Sequence, residues 1–296
     1  MGFGFYIPGI IDQMLRRQRT GSVICTSCGV LVGVSDDKCY NCGRRNPGLW
    51  GFAPILRSLG NDLGFVPFVI GACGIVYVLA LIASRGEIAR SGGLSFLGPS
   101  SRALFLFGAS GAVPVFVAGR WWTVLSAAWL HAGLLHILFN MMAVRQLAPP
   151  TADLYGPGRT VIIYTVGAVV GFALSSFAGA YIPGFLFLRG SQLTVGASAS
   201  IAGLIGALMY YGRRSGSGIV RSEATRYVVM LVIYGFLMPG IDNYAHAGGF
   251  AGGYMAAAVL DPLEPERGDH VLVAILCLAL SIASIVASVV HGLTFV

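Results

Sequence analysis

Apolar runs long enough to cross a bilayer recur along this chain near 65–84, 124–144, 160–181, 196–212, 226–240, 243–260 and 269–290. A hydrocarbon core of ~30 Å needs about 20 such residues in helical form. The pattern therefore predicts an all-α, polytopic membrane protein with seven spans. The fourth, fifth and sixth runs are short and rich in glycine, which suits helices packed backbone to backbone. Between the runs lie polar, Gly- and Pro-containing connections, and no internal repeat is visible.

Composition agrees. Hydrophobic residues make up 56% of the 296 positions and charged residues 10%, against about 25% charged in ordinary globular domains. The net charge of +7 comes almost wholly from arginine. In a membrane protein this is first an orientation signal rather than a nucleic-acid footprint. With the N-terminus inside, Arg16, Arg17, Arg19, Lys38, Arg44, Arg45, Arg57, Arg145, Arg159, Arg213, Arg214, Arg221, Arg226 and Arg267 fall on the cytoplasmic side. Arg85, Arg90, Arg102, Arg120 and Arg189 fall outside. That bias predicts a cytoplasmic N-terminus and, after seven spans, an external C-terminus. The apolar residues 2–11 have no basic stretch before them, so no secretory signal is expected there.

Four of the six cysteines form a pattern. Cys25 and Cys28, then Cys39 and Cys42, make two Cys-x-x-Cys knuckles, each followed by a glycine, Gly29 or Gly43. Two such pairs can complete a tetrahedral zinc site. A segment this short has no room for a hydrophobic core, so the metal would supply its folding energy. Disulfides are the alternative, and a cytoplasmic location argues against them. Cys73 and Cys277 sit singly in spans and read as small buried residues. The expected organisation is a tail over 1–20, a zinc-ribbon-like segment over 21–46 and a linker over 47–64. A membrane core follows over 65–261, then a seventh span and tail over 262–296.

The spans carry residues that lipid does not favour. Ser198 lies near the start of the fourth run, within Gly196-Ala197-Ser198-Ala199-Ser200, and His246 near the start of the sixth. The second run contains His131, His136 and Asn140. Ionisable groups at such positions are costly and mark function. His136 and Asn140 are four apart and share a helical face. His131 stands about 140° away around a regular helix. A serine and a histidine suggest nucleophile and base. Their depths pose a question, because His136 and Asn140 lie some 18–24 Å along the second run from its nominal start. They meet Ser198 only if that span begins late or if 182–195 dives inward before the serine. Small-x₃-small stripes at Gly249/Gly253, Gly248/Gly252 and Ala199/Gly203/Ala207 predict close approach of the fourth and sixth spans.

Taken together, Gly-x-Ser-x, Ala-His-x-Gly-Gly and His-x₄-His-x₃-Asn, in this order over roughly 65–260, resemble the rhomboid intramembrane serine proteases. So do Gly119-Arg120-Trp121-Trp122 and Tyr155-Gly156. The resemblance implies a six-helix core with an added seventh helix, a Ser198–His246 dyad, and no cofactor for catalysis. It places His136, Asn140 and the Ser198 N–H around the oxyanion, with His131 shaping the pocket. Implied partners are transmembrane protein substrates and lipid, not nucleic acid, and the implied setting is a prokaryotic plasma membrane. Ala199, Ala202 and Thr123 depart from the family pattern, whose usual residues there are glycine, an aromatic and arginine. Asp242, four residues before His246, tempts one to draw a triad, but it sits at the span's edge beside a turn, and the expectation is a dyad without a carboxylate. The alternative reading is a weak or inactive relative that binds transmembrane helices without cutting them, and a solute transporter is a more distant rival.

Overall fold

The structure, a computed structural model, describes residues 17–26, 28–54, 60–89, 93–185 and 188–293. The apolar stretch 2–11, Ser27, Arg16, Arg57 and Arg90 lie outside the described residues. At the N-terminal side, β1 (Ser22–Ile24) pairs antiparallel with β2 (Leu31–Gly33), with Val23 opposite Val32. These valines are buried with Cys25 and Cys39, and Val30 and Val34 pack against them to complete the small apolar core described in this head.

The rest is helical. The order is α1 (Phe65–Ala83), α2 (Ser101–Phe107), a π-helical turn at Val113–Val117 and α3 (Thr123–Ser126), which runs on into a 3-10 turn at Ala127–Trp129. Then come α4 (Leu134–Tyr155), α5 (Pro157–Tyr181), α6 (Ser198–Arg214), α7 (Gly218–Leu237), α8 (Asn243–Val259) and α9 (Gly268–Leu293). Among these, α1, α5 and α9 are long and apolar enough to cross a membrane alone, and the bent pair α3–α4 would be a fourth crossing. The chain is a multi-pass integral membrane protein. At 17 residues each, α6 and α8 reach only about 26 Å. Almost all of α6 is buried among its neighbours, and α8 packs on α5 and α6 while Ala247, Ala251 and Met255 stay exposed.

Two boundaries differ from the sequence expectation. The fifth span starts at Gly218, not near 226, because the Ser217 hydroxyl accepts from Val220 N at 3.3 Å and caps the helix there. Arg221 and Arg226 therefore ride on the first turns of α7. The second span is not one helix from 124 to 144. It breaks between Trp129 and Leu134 and turns by 94°. The cause is a crossing segment. A Cβ on Gly133 would lie 2.2 Å from Leu94 O, and one on Gly98 would lie 2.1 Å from Ala132 O. Leu134 N donates to Phe96 O at 2.8 Å, so the 94–98 segment supplies the first partner of the new helix. His131 is thus in the break and not on a helix face. From Leu134 the helix runs on through Pro149 and Pro150 to Tyr155.

Glycine decides how α5, α6 and α8 meet. A Cβ on Gly253 would lie 2.0 Å from Gly203 O, and one on Gly249 would lie 2.2 Å from Ala199 O. Gly248 and Gly252 face the other way, against Val170 on α5. The two stripes of α8 therefore serve two different neighbours. The final helix, α9, packs on α5, α2 and α3.

Candidate active site

The site grows from the turn before α6. Gly196 has φ +127°, a conformation L-residues rarely adopt. Its N–H donates to Ala127 O at 2.9 Å, tying the turn to the second span. Just upstream, Ser110 and Thr194 exchange two backbone hydrogen bonds, of 3.0 and 2.8 Å. Ser198 follows as the first residue of α6 and is partly exposed. No side chain caps this helix, whereas α2, α7 and α8 are capped by Ser100, Ser217 and Asp242. The first N–H groups of a helix have no partner inside it, so the turn at Ser198 offers donors and the positive end of a dipole.

His246 is the fourth residue of α8 and is buried. Its helix meets α6 at the residues beside Ser198 and His246. Gly249, one turn on from His246, lies against Ala199, next to Ser198. A Cβ on Gly171 of α5 would touch Ala245 O at 2.5 Å and Ala199 Cβ at 2.9 Å. The methyl of Ala199, where the family pattern has glycine, is received by this third glycine. His246 Nδ1 is buried without a hydrogen-bond partner. Asp242 is occupied elsewhere. Its Oδ1 accepts from Ala245 N at 3.0 Å as the helix cap, and its Oδ2 accepts from the Ser175 hydroxyl. These hydrogen bonds make it a helix cap rather than the third member of a triad.

The depth question is answered by the late start of α4. His136 is the third residue of that helix, so it comes level with the helix starts that hold Ser198 and His246. Its Nε2 faces Gly196 so closely that a Cβ there would lie 2.7 Å away. Its Nδ1 accepts from Ala132 N at 3.3 Å. A ring nitrogen that accepts carries no proton, so this network assigns the proton of a neutral ring to Nε2. His136 also lies within electrostatic reach of His246. His131 packs edge-on against His136, with ring centroids 5.2 Å apart, and both its nitrogens are buried without partners. Asn140 is buried and donates from Nδ2 to the His136 carbonyl at 2.8 Å. Sequence reasoning missed Gly171, although Gly167-x₃-Gly171 is the same small-residue signal. It also missed Ser110 and Thr194, for which no sequence signal existed.

The head holds a separate cluster. The ligand atoms of Cys25, Cys28, Cys39 and Cys42 all lie within 4.8 Å of one another. Cys25 and Cys42 sulfurs are 3.8 Å apart, and Cys28 and Cys39 sulfurs 3.5 Å. Four thiolates at ~2.3 Å from a tetrahedral zinc would be about 3.8 Å apart. The knuckles repeat one geometry. Gly29 N donates to Cys25 O and Gly43 N to Cys39 O, and both glycines have positive φ, +76° and +71°. None of the four is in a disulfide, and the cluster could bind zinc.

Comparison with known proteins agrees with the geometry. The rhomboid domain family model matches residues 118–262. Rhomboid protease GluP of Bacillus subtilis is 33% identical over 168 residues, covering 55% of this chain and 31% of the relative. RHOMBOID-like protein 4 of Arabidopsis thaliana is 33% identical over 176 residues, 58% of this chain and 42% of the relative. Putative rhomboid protease YdcA of Bacillus subtilis is 28% identical over 140 residues, 46% of this chain and 66% of the relative. The chain thus spans between about a third and a half of the first two relatives.

Proposed function

Because residues 118–262 are a rhomboid domain, we propose that this chain is an intramembrane serine endopeptidase that cuts transmembrane segments of other membrane proteins. The observation that carries it is the packing of the uncapped Ser198 turn of α6 against the His246 turn of α8 through Ala199 and Gly249.

In this reading His246 removes the Ser198 hydroxyl proton as the Oγ attacks the scissile carbonyl carbon. The carbonyl oxygen becomes an oxyanion, received by the Ser198 backbone N–H and by His136 Nε2–H. Asn140 stands one turn deeper as a further donor, and His131 holds the His136 ring edge-on. The intermediate collapses, the C–N bond breaks, and His246 returns the proton to the leaving amine. A water, deprotonated by His246, then releases the acyl group. The dyad needs no carboxylate, in keeping with Asp242 being spent on its helix cap.

A substrate helix must unwind to expose a peptide bond, so weak helix formers near the cut are favoured. The way in is beside α7, of which only Ala224 and Gly235 are buried. The four cysteines of the head hold one structural zinc, which takes no part in the chemistry. The arginine bias places the N-terminus in the cytoplasm, with Ser198 opening towards the outside.

The test is cleavage of a generic transmembrane substrate in proteoliposomes by the unaltered chain, Ser198→Ala and His246→Ala. Cleavage lost in both variants supports the dyad. An unaltered chain that neither cuts nor reacts with a serine-directed phosphonate is a helix-binding protein instead.

A further inference from the structure

The seventh helix touches the membrane core at a built polar joint. Ser281, Ser284 and Ser288 line one stripe of α9 and are all buried. Two of them engage the loop before the second span. The Ser284 hydroxyl donates to Trp122 O at 2.7 Å. Trp122 Nε1 donates to the Ser288 hydroxyl at 3.1 Å, and its ring meets His291 edge-on at 5.5 Å. Arg120, fully buried, donates to Phe105 O at 2.7 Å and to Ser288 O at 2.8 Å, with the Phe105 ring 4.4 Å from its guanidinium carbon. These partners are backbone carbonyls, so removing α9 would strip this charge of one of them. A Cβ on Gly108 would lie 2.6 Å from the Ser288 hydroxyl, so this contact admits no larger side chain.

The held segment is the one that registers the serine turn. Thr123 Oγ1 donates to Arg120 O at 2.8 Å and lies 3.4 Å from Ser110 Oγ. The Ser126 hydroxyl donates to Gly108 O at 2.7 Å. On its other side the same segment pairs with the chain leading to Ser198. Ser110 exchanges two bonds with Thr194, Ala112 N donates to Ser191 O, and Gly196 N donates to Ala127 O. Residues 105–127 are therefore clasped between α9 and the nucleophile's loop.

We infer that Ser284 and Ser288 of the seventh helix are positioning residues for Ser198, acting through Trp122, Arg120 and the Ser110–Thr194 pairing. The inference rests on the protease reading. A hydroxyl-mediated joint has a consequence that simple packing lacks. Loss of the hydroxyls should loosen amides on the far side of the clasped segment. It should lower turnover without weakening substrate binding, since small misplacements of a nucleophile cost rate.

The experiment compares the unaltered chain with Ser284→Ala/Ser288→Ala and with Ser284→Thr, which keeps a hydroxyl. Three readouts are taken in proteoliposomes: kcat and KM on a model transmembrane substrate, phosphonate labelling of Ser198, and amide hydrogen exchange. Expected for the double variant is a fall in kcat of roughly tenfold or more with KM unchanged. Labelling should slow in parallel, and exchange should quicken at 110–112 and 194–196. Ser284→Thr should behave as the unaltered chain. Unchanged kcat and unchanged exchange in a double variant whose parent cuts in a Ser198-dependent way would overturn the inference and leave the protease reading intact. A parent with no Ser198-dependent cleavage or labelling would overturn both.

Discussion

Gly196 and His136 are in contact, so close that a Cβ on the glycine would lie 2.7 Å from the histidine Nε2. The contact joins the turn that presents Ser198 to the helix that begins late at Leu134. On the proposed reading it also aims a ring N–H at the place where charge develops on a substrate carbonyl. Gly196→Ala meets two obstacles, the clash with the ring and a φ of +127°. Holding an L-residue there costs about 1–3 kcal/mol. We expect a folded protein with helical circular dichroism preserved and phosphonate labelling of Ser198 slowed at least a hundredfold, in line with nucleophile misplacement. Labelling at the parent rate would disprove the contact.

His136 and Asn140 share a helix face but not a role. His136 offers Nε2–H to the site because its Nδ1 already accepts from Ala132 N. Asn140 spends one amide hydrogen on the His136 carbonyl. Removing a dedicated oxyanion donor costs about 10²–10³ in kcat. His136→Ala should fall in that range, and Asn140→Ala should lose about tenfold or less. Steady-state kcat on one transmembrane substrate decides this, and an equal or larger loss for Asn140→Ala would reverse the assignment.

What could be read from the sequence was what local chemistry determines. The apolar runs at 65–84, 160–181 and 269–290 became α1, α5 and α9 because such residues are helical in lipid whatever surrounds them. The cysteine spacing likewise fixed the head. His131 was misplaced on a helix because the break depends on Gly98 and Gly133 meeting a segment more than 30 residues away. Nothing near His131 in sequence records that encounter. The stripes on α8 were visible as small residues, but which stripe faces α6 and which α5 is set by Gly171 and Val170. Asp242, which its place at the span's edge already argued against as a triad member, is a helix cap by geometry.

The head should bind one zinc per chain with an affinity that rises with pH. The Val30 N–H is the main cause that pulls the Cys28 thiol down to about 6, while burial pushes Cys42 up to about 11. Between those values Cys28 is already a thiolate and Cys42 holds its proton. Zinc uptake must then displace that proton, so each pH unit should tighten binding roughly tenfold per proton released. Competition with a chelator on the full chain at two pH values near neutrality measures the slope. A flat profile would mean that the thiols are not the ligands. Cys39→Ser should release the metal at neutral pH and expose the Val23–Val32 pair to proteolysis.

Arg159 joins the first turn of α5 to the connection between α8 and α9. Its guanidinium donates to Leu260 O, Asp261 O and Glu264 O, at 2.8–2.9 Å, and to Tyr155 O. In return the Glu266 carboxylate accepts from Arg159 N at 2.8 Å and seats against Gly156. Burial raises the Glu266 pKa, while Arg159 opposes the shift. Arg159→Ala leaves several carbonyls without donors at about 1–3 kcal/mol each where they are buried. We expect a drop of many degrees in the unfolding midpoint in detergent. Arg159→Lys should rescue little, because one ammonium cannot span three carbonyls. A midpoint within a degree or two of the parent for Arg159→Ala would show that the clamp carries no stability.

Gly249 decides how near α8 can come to α6, and so how near His246 comes to Ser198. A methyl there would sit 2.2 Å from Ala199 O, a backbone atom of the helix that begins with the serine. Backbone cannot rotate away as a side chain can, so Gly249→Ala must push the helices apart by a sizeable fraction of an ångström. Gly252, one turn along the same helix, faces the Val170 side chain instead, at 2.7 Å from its Cβ. Gly252→Ala therefore tests the same helix and the same chemical change against a different neighbour. Both variants should lose stability by the ~1–3 kcal/mol typical of overpacking. The difference should appear in turnover. Gly249→Ala should lose cleavage and phosphonate labelling together by about a hundredfold, while Gly252→Ala should keep most of its activity where it remains folded. Equal activity loss in the two variants at matched stability would mean that helix packing in general, and not the approach of α8 to the Ser198 turn, sets the reactivity of the serine.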